Sequence, residues 1–385
     1  MEKAAERRRT AVSNDKISEY CKTIRTAVHS FYGELPVNRN GVPLVSQKVS
    51  NFEKDGYRIE NVLFESFPGW EVNATVYVPL DYESPFPAVV VSVGHSGKQF
   101  ESYQLPCQLF ARSGYLAIVF DPPGQASEKQ PGNDHFVDGV RCYLVGQTSS
   151  RYFVADALRC IDYLETRNDV DLSYGVAMTG VSGGGTTTTL ANLLDNRIAV
   201  TGPSCCLTAL VDLDITQCYA GCPETHMWRR YAEGIDEVDL LCAATPKPTL
   251  LMAGEADEVF RIDDTRKLAK EVAEFYMTAG AKECFDFFID NAGHCYSLTQ
   301  AREFIRFLNS HLLEQPDRAV CDLPDDHFEL NPYEQLKCTP RTDVNMFSLT
   351  LKRANELESA RDVNPERIRT AAAAIAGVGD PPPAP

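Results

Sequence analysis

An α/β architecture, with a mostly parallel sheet covered by helices on both faces, is predicted by three features of this sequence. Short apolar runs alternate with helical stretches from residue 86 to residue 313, the rhythm of strand–helix–strand crossovers. The chain has 385 residues and is 44% hydrophobic, enough for one sizeable core with further elements at its ends. Its chemistry-bearing residues fall on loops just past the carboxyl ends of strand-like runs.

In chain order, the amino terminus Met1–Arg9 is charged and has no apolar stretch behind it. It reads as neither a secretory signal nor a membrane span, so a cytoplasmic protein is expected. Residues 15–35 predict an amphipathic helix with the stripe Ile17, Tyr20, Cys21, Ile24, Val28 and Phe31. That stripe should pack on the body or against another subunit, which would make a homo-oligomer. The run Phe86–Val93 predicts a buried strand ending in the turn Gly94-His95-Ser96-Gly97. Tyr174–Thr179 predicts another strand, and Leu190–Leu194 the helix after it.

Between those two lies Gly180-Val181-Ser182-Gly183-Gly184, a G-x-S-x-G run at a sharp strand-to-helix turn. Glycines two residues either side of the serine lack a Cβ, so strand and helix can approach while Ser182 takes a strained, exposed position. This is the sequence context of a nucleophile elbow. After the strand Pro248–Ala253 comes Gly254-Glu255-Ala256-Asp257, with an amphipathic helix from about Ile262. After the strand Cys284–Ile289 comes Asn291-Ala292-Gly293-His294, with another helix near Leu298. Ser182, Asp257 and His294 are therefore candidate nucleophile, orienting acid and base. Glu255, Glu258 and Asp263 compete for the acid role; Asp257 is favoured by its interval past the strand. Backbone amides of Gly183 and of His95, with Ser96 as the next choice, are the candidate oxyanion donors.

With those residues in place, the chain resembles an α/β-hydrolase of the acetyl xylan esterase and cephalosporin-C deacetylase type. It is also close to dienelactone hydrolases and prolyl-oligopeptidase catalytic domains. The order Ser182…Asp257…His294 is that of the α/β-hydrolase triad. Residues 57–79 resemble the antiparallel strand pair that opens these domains, Asp121–Gln125 the loop after the fourth strand, and Asp156–Leu164 the helix before the elbow. Val93 is a departure, since many relatives carry histidine before the oxyanion glycine. The resemblance implies an eight-stranded sheet and a serine carboxylic-ester hydrolase acting through an acyl-enzyme, on a short acyl or acetyl ester of a small molecule or sugar. A prolyl-oligopeptidase-like peptidase, a lactone or carbon–carbon bond hydrolase, and a non-catalytic hydrolase-fold binding protein stay open as alternatives.

Three parts follow: a helical extension at 1–49, a catalytic domain at 50–315 and a carboxyl-terminal extension at 316–385 ending in a disordered Pro-rich tail. A cap insertion at about 203–245 separates the sixth strand, near Ile198–Thr201, from the seventh. Its aromatic residues Tyr219 and Trp228, together with Gln125, are candidate pocket residues. His226 reads as a structural or surface residue.

Charge narrows the partners. With 37 basic and 54 acidic residues the net charge is −17 and no basic stripe is visible, which argues against nucleic acid and anionic membranes. The 13 cysteines sit mostly in apolar elements and read as reduced core residues. Cys218 and Cys222 have no paired Cys or His set, so neither metal nor cofactor is expected.

Overall fold

A computed structural model of the chain describes residues 2–13, 15–124, 132–209, 222–341, 343–361 and 364–376. Nine strands form one sheet in the order β1-β2-β3-β5-β4-β6-β7-β8-β9. The ranges are β1 Ser46–Lys54, β2 Tyr57–Glu65, β3 Glu71–Pro79, β4 Ala88–Ser92 and β5 Leu116–Phe120. They continue with β6 Val176–Val181, β7 Ile198–Ser204, β8 Thr249–Gly254 and β9 Phe285–Asp290. The first three strands run antiparallel as a meander, and β5, β4, β6, β7, β8 and β9 pair in parallel.

The expectation of eight strands is corrected to nine, and the insertion accordingly falls between the seventh and eighth. The extra strand is β1, whose residues are nearly all exposed and polar. It has no buried face to write an alternating pattern into the sequence; pairing with β2 makes it a strand. β1 also crosses the boundary drawn at residue 49. The central strands β4, β5, β6 and β8 are buried along their whole length, as parallel strands covered on both faces must be.

Helices cover both faces, and the buried side chains divide into two clusters accordingly. On one face lie α2 (Ile17–Tyr32), α5 (Ser150–Glu165), α6 (Gly183–Leu194) and α8 (Ile262–Thr278). On the other lie α3 (Glu101–Arg112) and α9 (Leu298–His311). The stripe of α2 is spent inside the chain: Tyr20, Cys21, Ile24, Val28 and Phe31 are buried, and Ile17 packs against the same cluster. Arg159 of α5, fully buried, ties residues 42–65 to the body by donating to the carbonyls of Val42, Pro43 and Glu65.

The amino terminus forms a helix that the charged sequence did not announce, α1 (Glu2–Ser13). It buries only the small side chains Ala4 and Ala11, with Val12 packed against the core, and buried charge adds to its hold. Arg8 pairs with Asp236 at 2.6 Å and Asp239 at 2.7 Å, and Arg7 reaches Asp239 at 2.7 Å. Those carboxylates cap the short helix α7 (Glu237–Cys242), where Asp236 and Asp239 form a reciprocal capping box. Tyr20 donates to the same Asp239 carboxylate. Helix α4 (Val137–Leu144) precedes α5, and after the body come a single helical turn at Tyr333–Leu336 and the helices α10 (Met346–Ser359) and α11 (Pro365–Ala376). The segment before α10 is anchored by Lys98, whose buried ammonium donates to the Leu336 carbonyl at 2.7 Å. Residues 377–385 lie outside the described part of the chain. No helix among the described residues is long and apolar enough to cross a membrane.

Candidate active site

Because β6, β7, β8 and β9 run in parallel, the loops after them rise from one edge of the sheet. Ser182 stands at the end of β6, as the cap of α6, with φ 58° and ψ −127°. Few non-glycine residues adopt a positive φ, and here packing imposes it. The Ser182 amide donates to Ser204 on β7, and its carbonyl accepts from Thr186 in the first turn of α6. A Cβ at Gly180 would lie 2.4 Å from the Ser92 carbonyl oxygen, and one at Gly184 would lie 2.1 Å from it. Both glycines are obligatory for the close approach, and either alanine would force β4 and α6 apart at a cost of about 1–3 kcal/mol or more.

One expectation needs correction: Ser182 is only 7% exposed rather than lying open. The turn after β4 covers it, since a Cβ at Gly94 would sit 3.1 Å from the Ser182 Cβ and 3.2 Å from the Gly183 nitrogen. The 222–224 segment closes in from the other side, with Glu224 Oε1 3.3 Å from the Cβ position of Gly183. Gly94 is fixed by donating its amide to the Tyr103 hydroxyl at 2.8 Å. The amides of Gly183 and His95 thus belong to two segments in contact at the serine.

The loops after β8 and β9 meet over the next pair of strand ends. A Cβ at Gly254 would be 2.4 Å from the Gly293 carbonyl, so the two loops touch backbone to backbone. Hydrogen bonds from Glu255 to Asp290 and from Ala256 to Ala292 lock them together. This brings Asp257 to His294: Nδ1 lies 3.0 Å from Oδ2 and 3.2 Å from Oδ1. The Asp257 side chain is buried, and burial raises its pKa. The His294 contact and the amides of Phe260 and Val259 outweigh that and hold it below the usual carboxylate range. Phe260 stacks on the His294 ring with centroids 5.7 Å apart.

The rival acids are engaged elsewhere. Glu255 pairs with Arg266 at 2.6 Å, and Asp263 faces the same arginine. Glu258 accepts from the His294 backbone amide at 3.3 Å and so touches the loop rather than the ring. Cys205, at the end of β7 with φ 46°, offers its sulfur within 4.8 Å of the Asp257 and His294 donor atoms. Burial pushes this thiol up to about 12, so it faces the acid as a neutral group.

Of the candidate pocket residues, Gln125 and Tyr219 lie outside the described residues. Trp228 packs over Gly146, 3.7 Å from its Cβ position, with the Arg229 guanidinium 5.4 Å from the ring centre. His226 faces Tyr231, and its carbonyl accepts from Tyr143 at 2.8 Å and Thr148 at 3.0 Å. Sequence reading missed His135, Glu224 and Cys205 beside the site. Each comes from a stretch with no motif, and only the fold brings them there.

Residues 37–210 match the acetyl xylan esterase family (AXE1). No curated protein matches the chain in sequence. Among solved structures, methylesterase BT1017 superposes with a TM-score of 0.70 at 20% identity, covering 90% of this chain and 77% of that one. A putative acetyl xylan esterase from Bacteroides fragilis gives 0.57 at 15% identity, with 72% and 76% covered. A glucuronoyl esterase from Solibacter usitatus gives 0.56 at 14% identity, with 74% and 91% covered. At these identities the structural likeness establishes the fold, and the family match over 37–210 adds the chemistry: the chain is a carboxylic ester hydrolase of the α/β-hydrolase fold.

Proposed function

We propose that the chain cleaves a carboxylic ester through a Ser182–His294–Asp257 triad and an acyl-enzyme. The observation that carries this reading is the shared sheet edge: a serine at φ 58° past β6, and a histidine whose Nδ1 faces a carboxylate at 3.0 Å past β9 and β8. With Nδ1 directed at Asp257, the Nε2 atom is the nitrogen left to take the serine proton. The alkoxide attacks the ester carbonyl, and the amides of Gly183 and His95 receive the developing oxyanion. His294 then protonates the leaving alcohol. Water deprotonated by the same imidazole hydrolyses the acyl-enzyme and returns the serine.

An ester of a sugar or other small polar molecule is the substrate class we favour. The matched family and the named solved structures are named for acetyl xylan, methyl or glucuronoyl esters, which supports a short acyl or alkyl group or a sugar on the ester. The cysteines described are all free thiols, which suits a reducing compartment such as the cytoplasm.

Ser182→Ala tests the mechanism. Turnover of a short activated ester should fall by roughly four to six orders of magnitude while the melting temperature barely moves. Turnover retained within tenfold, roughly, would remove the serine from the mechanism.

A further inference from the structure

Beside Gly183, four side chains from three distant parts of the chain converge on one point. They are His95 after β4, His135 in the turn before α4, and Cys222 and Glu224 in the segment leading to α7. One donor atom from each lies within 4.8 Å of all the others. His95 Nε2 is 2.7 Å from His135 Nε2, 3.2 Å from Cys222 Sγ and 2.9 Å from Glu224 Oε1. His135 Nε2 is 2.9 Å from Glu224 Oε2. His135, Cys222 and Glu224 are buried.

Ion pairs of the two imidazoles with Glu224 and the contact of His95 with Cys222 account for only part of this arrangement. An imidazole nitrogen carries either one proton or one lone pair, in the ring plane. It cannot serve a second imidazole, a carboxylate and a thiol together. Glu224 Oε2 shows the consequence: it is buried and accepts no well-aligned hydrogen bond, despite the ring nitrogen at 2.9 Å. Four donors aimed at a common centre are the arrangement of ligands around a cation. In a tetrahedral zinc site with bonds of about 2.0–2.3 Å, neighbouring donors are about 3.3–3.7 Å apart, so this set needs to spread by only about half an ångström.

We propose that His95, His135, Cys222 and Glu224 bind one divalent transition-metal ion, of the zinc type, next to the nucleophile. Nitrogen, sulfur and carboxylate donors together select a borderline ion such as zinc over magnesium or calcium. Four protein ligands fill a tetrahedral shell, so the ion is a clamp with no open position for water. It pins the 222–228 segment to the turn that carries the His95 amide, beside Gly183, and with one thiolate and one carboxylate among its ligands the filled site is neutral overall. The segment has other anchors, among them the Tyr143 hydroxyl on the Pro223 carbonyl at 2.8 Å, but these hold its backbone and not its position against β4.

Metal content is measured on the full chain, purified from zinc-supplemented cells and washed free of loose ions. About one zinc per chain is expected, and after chelation and cobalt loading a thiolate-to-cobalt charge-transfer band together with tetrahedral cobalt absorption. Alkylation with mass mapping identifies the sulfur: Cys222 should be protected in the zinc form and modified after chelation. Cys222→Ser and His135→Ala should each weaken zinc binding at least tenfold, roughly. A metal-free chain that takes up no cobalt overturns the proposal, as does zinc binding that leaves the alkylation of Cys222 unchanged. The alkylation arm uses the unmodified chain, so it decides the matter even if both variants fail to fold. None of these readouts uses substrate, so they stand apart from the esterase reading.

Discussion

The loops after β6, β8 and β9 and the segment 222–242 flank the same serine, yet they are held by different physics. The strand-end loops are fixed by backbone: Gly254 against the Gly293 carbonyl, Gly184 against the Ser92 carbonyl, and amides that donate to Asp257. The 222–242 segment is fixed by buried charged and metal-binding side chains. Arg8 holds Asp236 and Asp239, Arg230 holds Glu237 at 2.7 Å, and Glu224 lies between two histidines. Backbone packing leaves little freedom and tolerates no added Cβ. Buried charge is held only while its partners are present, and removing one strands the other. The first region should therefore govern turnover, and the second stability.

After the serine itself, the largest effect should come from the acid of the strand-end loops. Asp257→Asn keeps the shape of the side chain but presents a neutral amide to Nδ1, which can stabilise the wrong imidazole tautomer. Turnover should fall on the order of 10^4-fold with little change in melting temperature. Glu255→Gln and Asp263→Asn, at carboxylates that face Arg266, should leave turnover near that of the parent. If either of these is the damaging change, the acid has been placed wrongly.

The complementary break is Arg8→Ala. It leaves the buried Asp236 without its counter-charge and the buried Asp239 with Arg7 alone, and should cost about 3–5 kcal/mol in denaturant unfolding. The pH dependence has a defined sign. Burial and the neighbouring Asp239 already raise Asp236 above its ordinary value, while Arg8 opposes them. Without Arg8 the folded-state pKa of Asp236 rises further, so the folded chain binds more protons than the unfolded one. Stability then falls as pH rises from the unfolded carboxylate range through that folded value. The loss measured at neutral pH should exceed the loss measured near pH 4, roughly the unfolded carboxylate pKa. An equal loss at both would show that Arg8 acts through packing alone.

The same contrast explains what could be read from the residues in order. The elbow, the acid loop and the histidine loop were each legible because strand, turn and helix are contiguous in sequence. An apolar run followed by glycine and a polar residue is a local signal. The stripe of α2 was legible for the same reason, with Tyr20, Ile24 and Val28 at helical spacing. β1 was not, because its exposed polar residues write no pattern and only pairing with β2 defines it. Nor was the docking of α1, since a run of arginines reads as solvated surface until Asp236 and Asp239 stand opposite. The cluster of His95, His135, Cys222 and Glu224 was least legible of all. Metal ligands are recognised by close spacing, and these are gathered from three stretches only when the sheet forms. Ser182 read as exposed because its cover comes from two segments far away in the chain.

The smallest expected effect tests whether backbone alone holds the histidine loop. Glu258 accepts from the His294 amide at 3.3 Å, a long contact at an exposed position. The carboxylate facing the ring is that of Asp257, at Nδ1. Glu258→Gln retains a carbonyl oxygen that can still accept, and an exposed neutral hydrogen bond differs little in strength from this one. Turnover should therefore change by less than about threefold. A larger loss of turnover would mean that the Glu258 charge acts on the imidazole itself. The carboxylates at this edge would then work as a pair, and the division between a backbone-held site and a charge-held flank would fail at the histidine.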